Sequence, residues 1–260
     1  MEIREIGDAT LYLADNMEIL PTLYNMVDAV IMDPPYGLDF QGKRSESSKA
    51  NLKLYEDNEH HYKNVLLPRI RIAITTAKGG RAAVFCGHKR MWEYPPPTDI
   101  GGIFSHGSTS ISEWGFRCFS PVLFYGKSPY MSGKEDIGGG IMVSRGGRPT
   151  AKVIVLNAGS MERKGNPHPC PKPLEYMNWL VETASLEGET VLDPFMGSGT
   201  TGEACVRLNR KFIGIELDKE YFEFACQRIE RAMVQMRKIA PSGEPNGFLE
   251  MKYNENNKNS

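Results

Sequence analysis

The chain has 260 residues, 40% hydrophobic content, a formal net charge of −1 and no apolar run near the roughly 18 residues that a membrane-spanning helix needs. That length supports one large α/β domain with a modest insertion, and the opening Met1-Glu2-Ile3-Arg4-Glu5 lacks a signal-peptide pattern, so a cytoplasmic protein is expected. Its five cysteines (Cys86, Cys118, Cys170, Cys205, Cys226) and five dispersed histidines show neither a disulfide framework nor zinc-type spacing, so reduced thiols and no metal are expected.

Thr10 to Leu13 predicts a strand, Asp15-Asn16 a strand-end turn, Met17 to Leu23 a short helix and Asp28 to Met32 a buried strand, which together make a β-α-β start. Pro34 and Pro35 cannot donate ladder hydrogen bonds. The strand therefore ends there and opens a loop at its carboxyl edge, where open α/β sheets bind ligands. The polar residues from Gly37 to about Glu59 read as a loop over that edge. A helix over about His61 to Thr76, a stop at Gly79-Gly80 and a strand over Ala82 to Cys86 follow.

Residues 91–160 change character. Pro95-Pro96-Pro97, Gly138-Gly139-Gly140 and Gly146-Gly147 alternate with aromatic runs, of which Val122 to Tyr125 reads as a sheet strand. The span as a whole is expected to be an inserted region. Pro167 to Pro173 is extended by its prolines, and Leu174 to Thr183 has helical amphipathicity. A strand over Thr190 to Leu192, a glycine loop, a helix over Thr200 to Leu208 and a strand over Lys211 to Ile215 make a second β-α-β unit whose last strand ends in Glu216. Leu217 to about Ile239 predicts a closing helix, and residues 240–260 a flexible tail.

Two loops carry chemistry. In Asp33-Pro34-Pro35-Tyr36, a carboxylate and a carbonyl stand together beside an aromatic ring. An exocyclic amino nitrogen on a base is a poor nucleophile because its lone pair is delocalised into the ring. Asp33 accepting one N–H and the Pro34 carbonyl the other would localise that lone pair, while Tyr36 offers a face on which an extruded base can stack. In Asp193-Pro194-Phe195-Met196-Gly197-Ser198-Gly199-Thr200, the glycines allow close backbone approach to a nucleoside cofactor, and Glu216, 17 residues past Gly199, is placed to hold ribose hydroxyls.

With His168-Pro169-Cys170-Pro171-Lys172-Pro173 between them, these motifs stand in the order of the permuted (β-class) amino DNA methyltransferases, and the chain resembles that family. It departs from the commoner pattern at Cys170 and Pro171, where Thr and a polar residue are usual. The resemblance implies a doubly wound, Rossmann-like methyltransferase sheet with a small inserted target-recognition region. Residues 1–90 would form the catalytic half, 91–160 the recognition region, 161–239 the cofactor-binding half and 240–260 the tail. It implies S-adenosylmethionine as cofactor, bound by Asp15 (adenine amino group), Asp33, Lys172 (methionine carboxylate), Asp193 (near the methionine portion), Phe195, Gly197, Ser198, Gly199, Thr200 and Glu216. Catalysis is assigned to Asp33, Pro34, Pro35 and Tyr36.

Asp rather than Ser at position 33 resembles the adenine-N6 pattern. Cytosine N4 is the nearest alternative, followed by RNA or protein amino-group methylation and by an inactive DNA-binding partner; restriction-modification is among the expected settings. The neutral total charge hides an asymmetry: residues 37–90 carry eleven basic and five acidic side chains, and 127–172 eight and three. A basic face suffices for DNA, expected to be double-stranded, and Lys43, Arg44, Arg145, Arg148 and Lys152 are the expected contacts. A homodimer is compatible with this reading.

Overall fold

A computed structural model describes residues 1–37, 58–106, 111–112, 115–116, 118–131, 153–157, 166–168 and 171–239. In chain order the elements are β1 (Glu2–Ile6), β2 (Ala9–Leu13), α1 (Asn16–Ile19), β3 (Ala29–Met32), α2 (Glu59–His61), α3 (Leu67–Ile74), β4 (Ala82–Phe85), β5 (Asp99–His106), β6 (Ile111–Ser112), β7 (Gly115–Phe116), β8 (Phe119–Tyr125), β9 (Val153–Asn157), α4 (Leu174–Ala184), β10 (Thr190–Asp193), α5 (Thr200–Arg207), β11 (Lys211–Glu216) and α6 (Lys219–Ile239).

Nine strands form one sheet in the order β1-β2-β11-β10-β3-β4-β8-β5-β9. The five from β2 to β4 are parallel, and the central β3 and β4 are continuously apolar and buried, as a sheet covered on both faces requires. One face packs Met177, Leu180 and Val181 of α4, Ala204 and Cys205 of α5, and Phe222, Ala225 and Ile229 of α6. The other packs Ile19 and Leu20 near α1, Tyr62, and Leu67, Ile70, Ala73 and Ile74 of α3. This is the expected doubly wound sheet.

The chain leaves β10 for β11 on one side and β3 for β4 on the other, so the winding reverses between β10 and β3. These two are parallel neighbours in register, Val191 beside Ala29 and Leu192 beside Val30. The crevice at such a switch point is where open α/β sheets bind ligands. Here the carboxyl ends of the two strands carry Asp193 and, one residue past β3, Asp33.

Three features add to or differ from the expectation. The hairpin partner β1 went unread, although Glu2-Ile3-Arg4-Glu5-Ile6 places its buried Ile6 against Ala9 across the turn at Gly7-Asp8. The single helix expected over residues 61–76 is instead α2 and α3 joined by a π-turn at Tyr62–Leu66, with Pro68, which has no amide to donate, in the restarted first turn. Finally, within residues 91–160, β5, β8 and β9 extend the principal sheet beyond β4, and only the β6–β7 pair forms a separate small sheet among the described residues. Burial explains this, because Val122, Leu123 and Ile103 are wholly enclosed and need the main core. The expected strand over Val122 to Tyr125 is part of β8.

Candidate active site

The β3 exit loop brings its own motif together. The Tyr36 hydroxyl donates to Asp33 Oδ1 at 2.5 Å, and Lys172 Nζ, from the extended segment before α4, donates to Asp33 Oδ2 at 2.5 Å. The ammonium also lies 5.8 Å from the Tyr36 ring centre and 5.0 Å from that of Phe85, within cation–π range. Both Asp33 oxygens are thus engaged by groups that are themselves motif residues. Burial, with Asp33 beside it, pushes the Tyr36 phenol well above its ordinary range, which keeps it a proton donor to that carboxylate.

The β10 exit loop is built differently, with its polar side chains turned inward. Asp193 Oδ1 accepts from the Phe195 amide at 3.0 Å and Oδ2 from the Thr201 hydroxyl at 2.5 Å, which ties the loop to the first turn of α5. Burial pushes its carboxyl up to about 7, against those two hydrogen bonds. Thr200 Oγ1 accepts from the buried Arg228 of α6 at 2.6 Å, and Ser198 Oγ accepts from Asn166 at 3.4 Å. Gly199 begins α5 at φ +78°, and a Cβ there would meet Ala225 Cβ at 2.7 Å, so both backbone and packing require glycine.

Glu216 closes the loop from the end of β11. Its Oε2 accepts from the Gly197 amide at 2.9 Å, and its Oε1 from the Leu217 and Asp218 amides at 2.8 Å each. Burial pushes this carboxyl, too, up to about 7. A carboxylate has about four acceptor positions, so Oε2 retains one. Glu216 lines a cleft together with Asp15, Asn16, Arg69, Phe195 and Leu217, among others.

Asp15 caps α1 through the Met17 amide at 2.8 Å and is held by Arg69 at 2.6 Å. Asn16 donates to the Pro194 carbonyl at 3.1 Å, tying the end of β2 to the β10 loop. The structure therefore gathers Asp15, Phe195 and Glu216 around one cleft, and Asp33, Tyr36 and Lys172 into one cluster, while Asp193, Gly197, Ser198, Gly199 and Thr200 build the wall behind. Lys43, Arg44, Arg145, Arg148 and Lys152 lie outside the described residues, as does Cys170. Among the described residues no cluster of metal-binding side chains occurs.

Sequence reading missed Asn16, Arg69 and Leu217. Leu217 had a signal, an apolar residue directly after a strand-end acid; it stays 46% exposed at the cleft rim. Arg69 had none, because its partner is 54 residues away.

A family model described as DNA methylase matches residues 143–227. The chain is 29% identical over 229 residues to the Type II methyltransferase M.HpaI of Haemophilus parainfluenzae, a match covering 79% of this chain and 69% of that protein. Over 65 residues it is 42% identical to the DNA adenine methyltransferase YhdJ of Escherichia coli (strain K12), covering 25% of this chain and 22% of the relative. The crystal structure of the M1.HpyAVI–SAM complex shares its fold, with a TM-score of 0.58 at 24% identity over 85% of this chain and 98% of that one.

Proposed function

We infer that this chain, which belongs to the N6/N4 family of DNA methylases, transfers a methyl group from S-adenosylmethionine to the N6 nitrogen of adenine in double-stranded DNA. One observation carries the reading: the Asp33–Tyr36 cluster follows β3, and the Glu216 cleft is bounded by Phe195 just past β10, the strand that adjoins β3, so a target base and a cofactor can meet between them.

The residues present fit the cofactor. Phe195 and Leu217 offer apolar surface to a purine, Asp15 accepts from an amino group, and the free acceptor position on Glu216 suits a ribose hydroxyl. Lys172 is the nearby cation for a methionine carboxylate. When bound, S-adenosylmethionine supplies an electrophilic methyl on its sulfonium.

The chain's own residues do the rest. Once Lys172 leaves Asp33 Oδ2, that oxygen accepts one N–H of the target amino group, and the Pro34 carbonyl accepts the other. The nitrogen lone pair is then localised towards the methyl, and Asp33 is the acceptor for the proton that the nitrogen sheds. Tyr36 supports the base by stacking after it leaves the duplex. Asp33 in place of Ser favours adenine, as does the similarity to a relative named for adenine methylation. Phosphate contacts are assigned to Lys43, Arg44, Arg145, Arg148 and Lys152, and target recognition to those parts of residues 91–160 outside β5, β8 and β9. A DNA substrate suits the cytoplasmic setting expected from the sequence, and no described helix is long and apolar enough to cross a membrane.

The test is nucleoside mass spectrometry of unmethylated duplex DNA after incubation with the purified protein and methyl-labelled cofactor. N6-methyladenine is expected. N4-methylcytosine alone would overturn the base assignment, and label in RNA or protein but not DNA would overturn the substrate.

A further inference from the structure

We propose that Arg90 is a positioning residue for the target base, acting through Tyr36. This rests on the target-base role of Tyr36 inferred above. Arg90 follows β4, the strand beside β3, and is 9% exposed. Its Nε donates to the Tyr36 carbonyl at 3.1 Å and its Nη2 to the Gly37 carbonyl at 2.8 Å, so one guanidinium holds the two consecutive carbonyls that leave the catalytic motif. Nη1 donates to Glu93 Oε1 at 2.9 Å, and Glu59 lies 3.8 Å away. The guanidinium also sits over the Tyr62 ring, 4.5 Å from its centre, and Tyr62 is wholly buried.

Each contact removes a freedom. Gly37 turns at φ +60°, and a Cβ there would meet Tyr62 Cβ at 2.4 Å, so the turn is wedged against the residue on which Arg90 stacks. Gly87 places its backbone at the Tyr36 ring, where an added Cβ would meet Cγ at 3.4 Å. The ring is thus fixed by its hydroxyl on Asp33, by the backbone of residue 87 and by the carbonyl bond from Arg90. No strand ladder supports this loop, because Pro34 and Pro35 donate no amides. Only a planar fork of donors serves two adjacent carbonyls and a carboxylate together; a lysine ammonium would reach one, without the stacking.

The consequence is a residue outside the motif that sets the angle of Tyr36 without touching substrate. The test is a double-mutant cycle on the full chain: wild type, Arg90→Lys, Tyr36→Ala and the double variant. Methyl transfer to unmethylated genomic DNA is followed in a single turnover at saturating S-adenosylmethionine, with cofactor binding measured by calorimetry. Arg90→Lys is expected to slow transfer by about 10–100-fold, the range for a small misplacement of a reacting group, with the cofactor dissociation constant within about twofold of wild type. In the Tyr36→Ala background the same change is expected to cost less than about threefold, because residues that act as a unit are not additive. Equal cost in both backgrounds, a wild-type rate, or a parallel loss of cofactor affinity would overturn the assignment. Tyr36→Ala with a wild-type rate would instead overturn the target-base role of Tyr36. Should Arg90→Lys fail to fold, Glu93→Ala removes the Nη1 acceptor alone and is expected to slow transfer by about 3–10-fold in the Tyr36 background only; equal slowing in both backgrounds would overturn the proposal.

Discussion

The two loops at the switch point differ in how their polar groups are used. Behind the β10 loop, Asp193, Ser198 and Thr200 are spent on the scaffold, and even Glu216 gives three acceptor positions to backbone amides before one is left for a ligand. Beyond β3, Asp33 is held by Tyr36 and Lys172, and the proposed chemistry requires the Lys172 contact to open. The first loop is a finished cradle. The second is a set of groups held ready by one another, so damage to the first should show as lost binding or stability and damage to the second as lost rate.

The largest expected effect is in the second loop. Asp33→Ala should slow methyl transfer by about 10²–10³-fold, the usual loss for a positioned proton acceptor, while cofactor affinity by calorimetry stays near wild type. A normal rate would remove Asp33 from the chemistry. Glu216→Ala should weaken cofactor binding by about 1.5–3 kcal/mol, the range for hydrogen bonds to a charged group. An unchanged dissociation constant would detach Glu216 from the ribose and blur the contrast.

Gly199→Ala should destabilise the fold by about 1–3 kcal/mol in urea denaturation, since the new methyl meets Ala225 and φ is left-handed. The smallest effect is on pH. Burial raises Asp193 and Glu216 from ordinary values of 3.8 and 4.5 to about 7 each, so the folded chain binds more protons than the unfolded one between those values. Their contribution to stability is present below the ordinary values and is lost as pH rises to about 7. Denaturation midpoints should therefore fall from pH 5 to pH 8, and Glu216→Gln should flatten the fall. A midpoint that rises over this window would contradict the burial argument.

Much of this was legible in the sequence because it is local. Asp33 to Tyr36 and Asp193 to Thr200 each end a short apolar strand, and prolines or glycines stop the ladder where the site begins. Glu216 was readable from its spacing to Gly199. What escaped depends on contacts far apart in the chain: Arg69 on Asp15, Asn16 on Pro194, Arg228 on Thr200 and Lys172 on Asp33. The place of β5, β8 and β9 in the sheet has the same origin. Residues 91–160 look foreign by composition, and only the pairing of β8 with β4, set by the burial of Val122 and Leu123, shows that the sheet runs on through them. The break between α2 and α3 was hidden because an apolar helical pattern continues across the π-turn.

The division of labour between the loops is tested most directly by single-turnover methyl transfer as a function of S-adenosylmethionine concentration in Asp33→Ala and Glu216→Ala. Saturating cofactor should restore Glu216→Ala to within about threefold of the wild-type rate, since lost binding is overcome by concentration, and should leave Asp33→Ala about 10²–10³-fold slow. Recovery of Asp33→Ala at high cofactor, with Glu216→Ala remaining slow, would contradict the account.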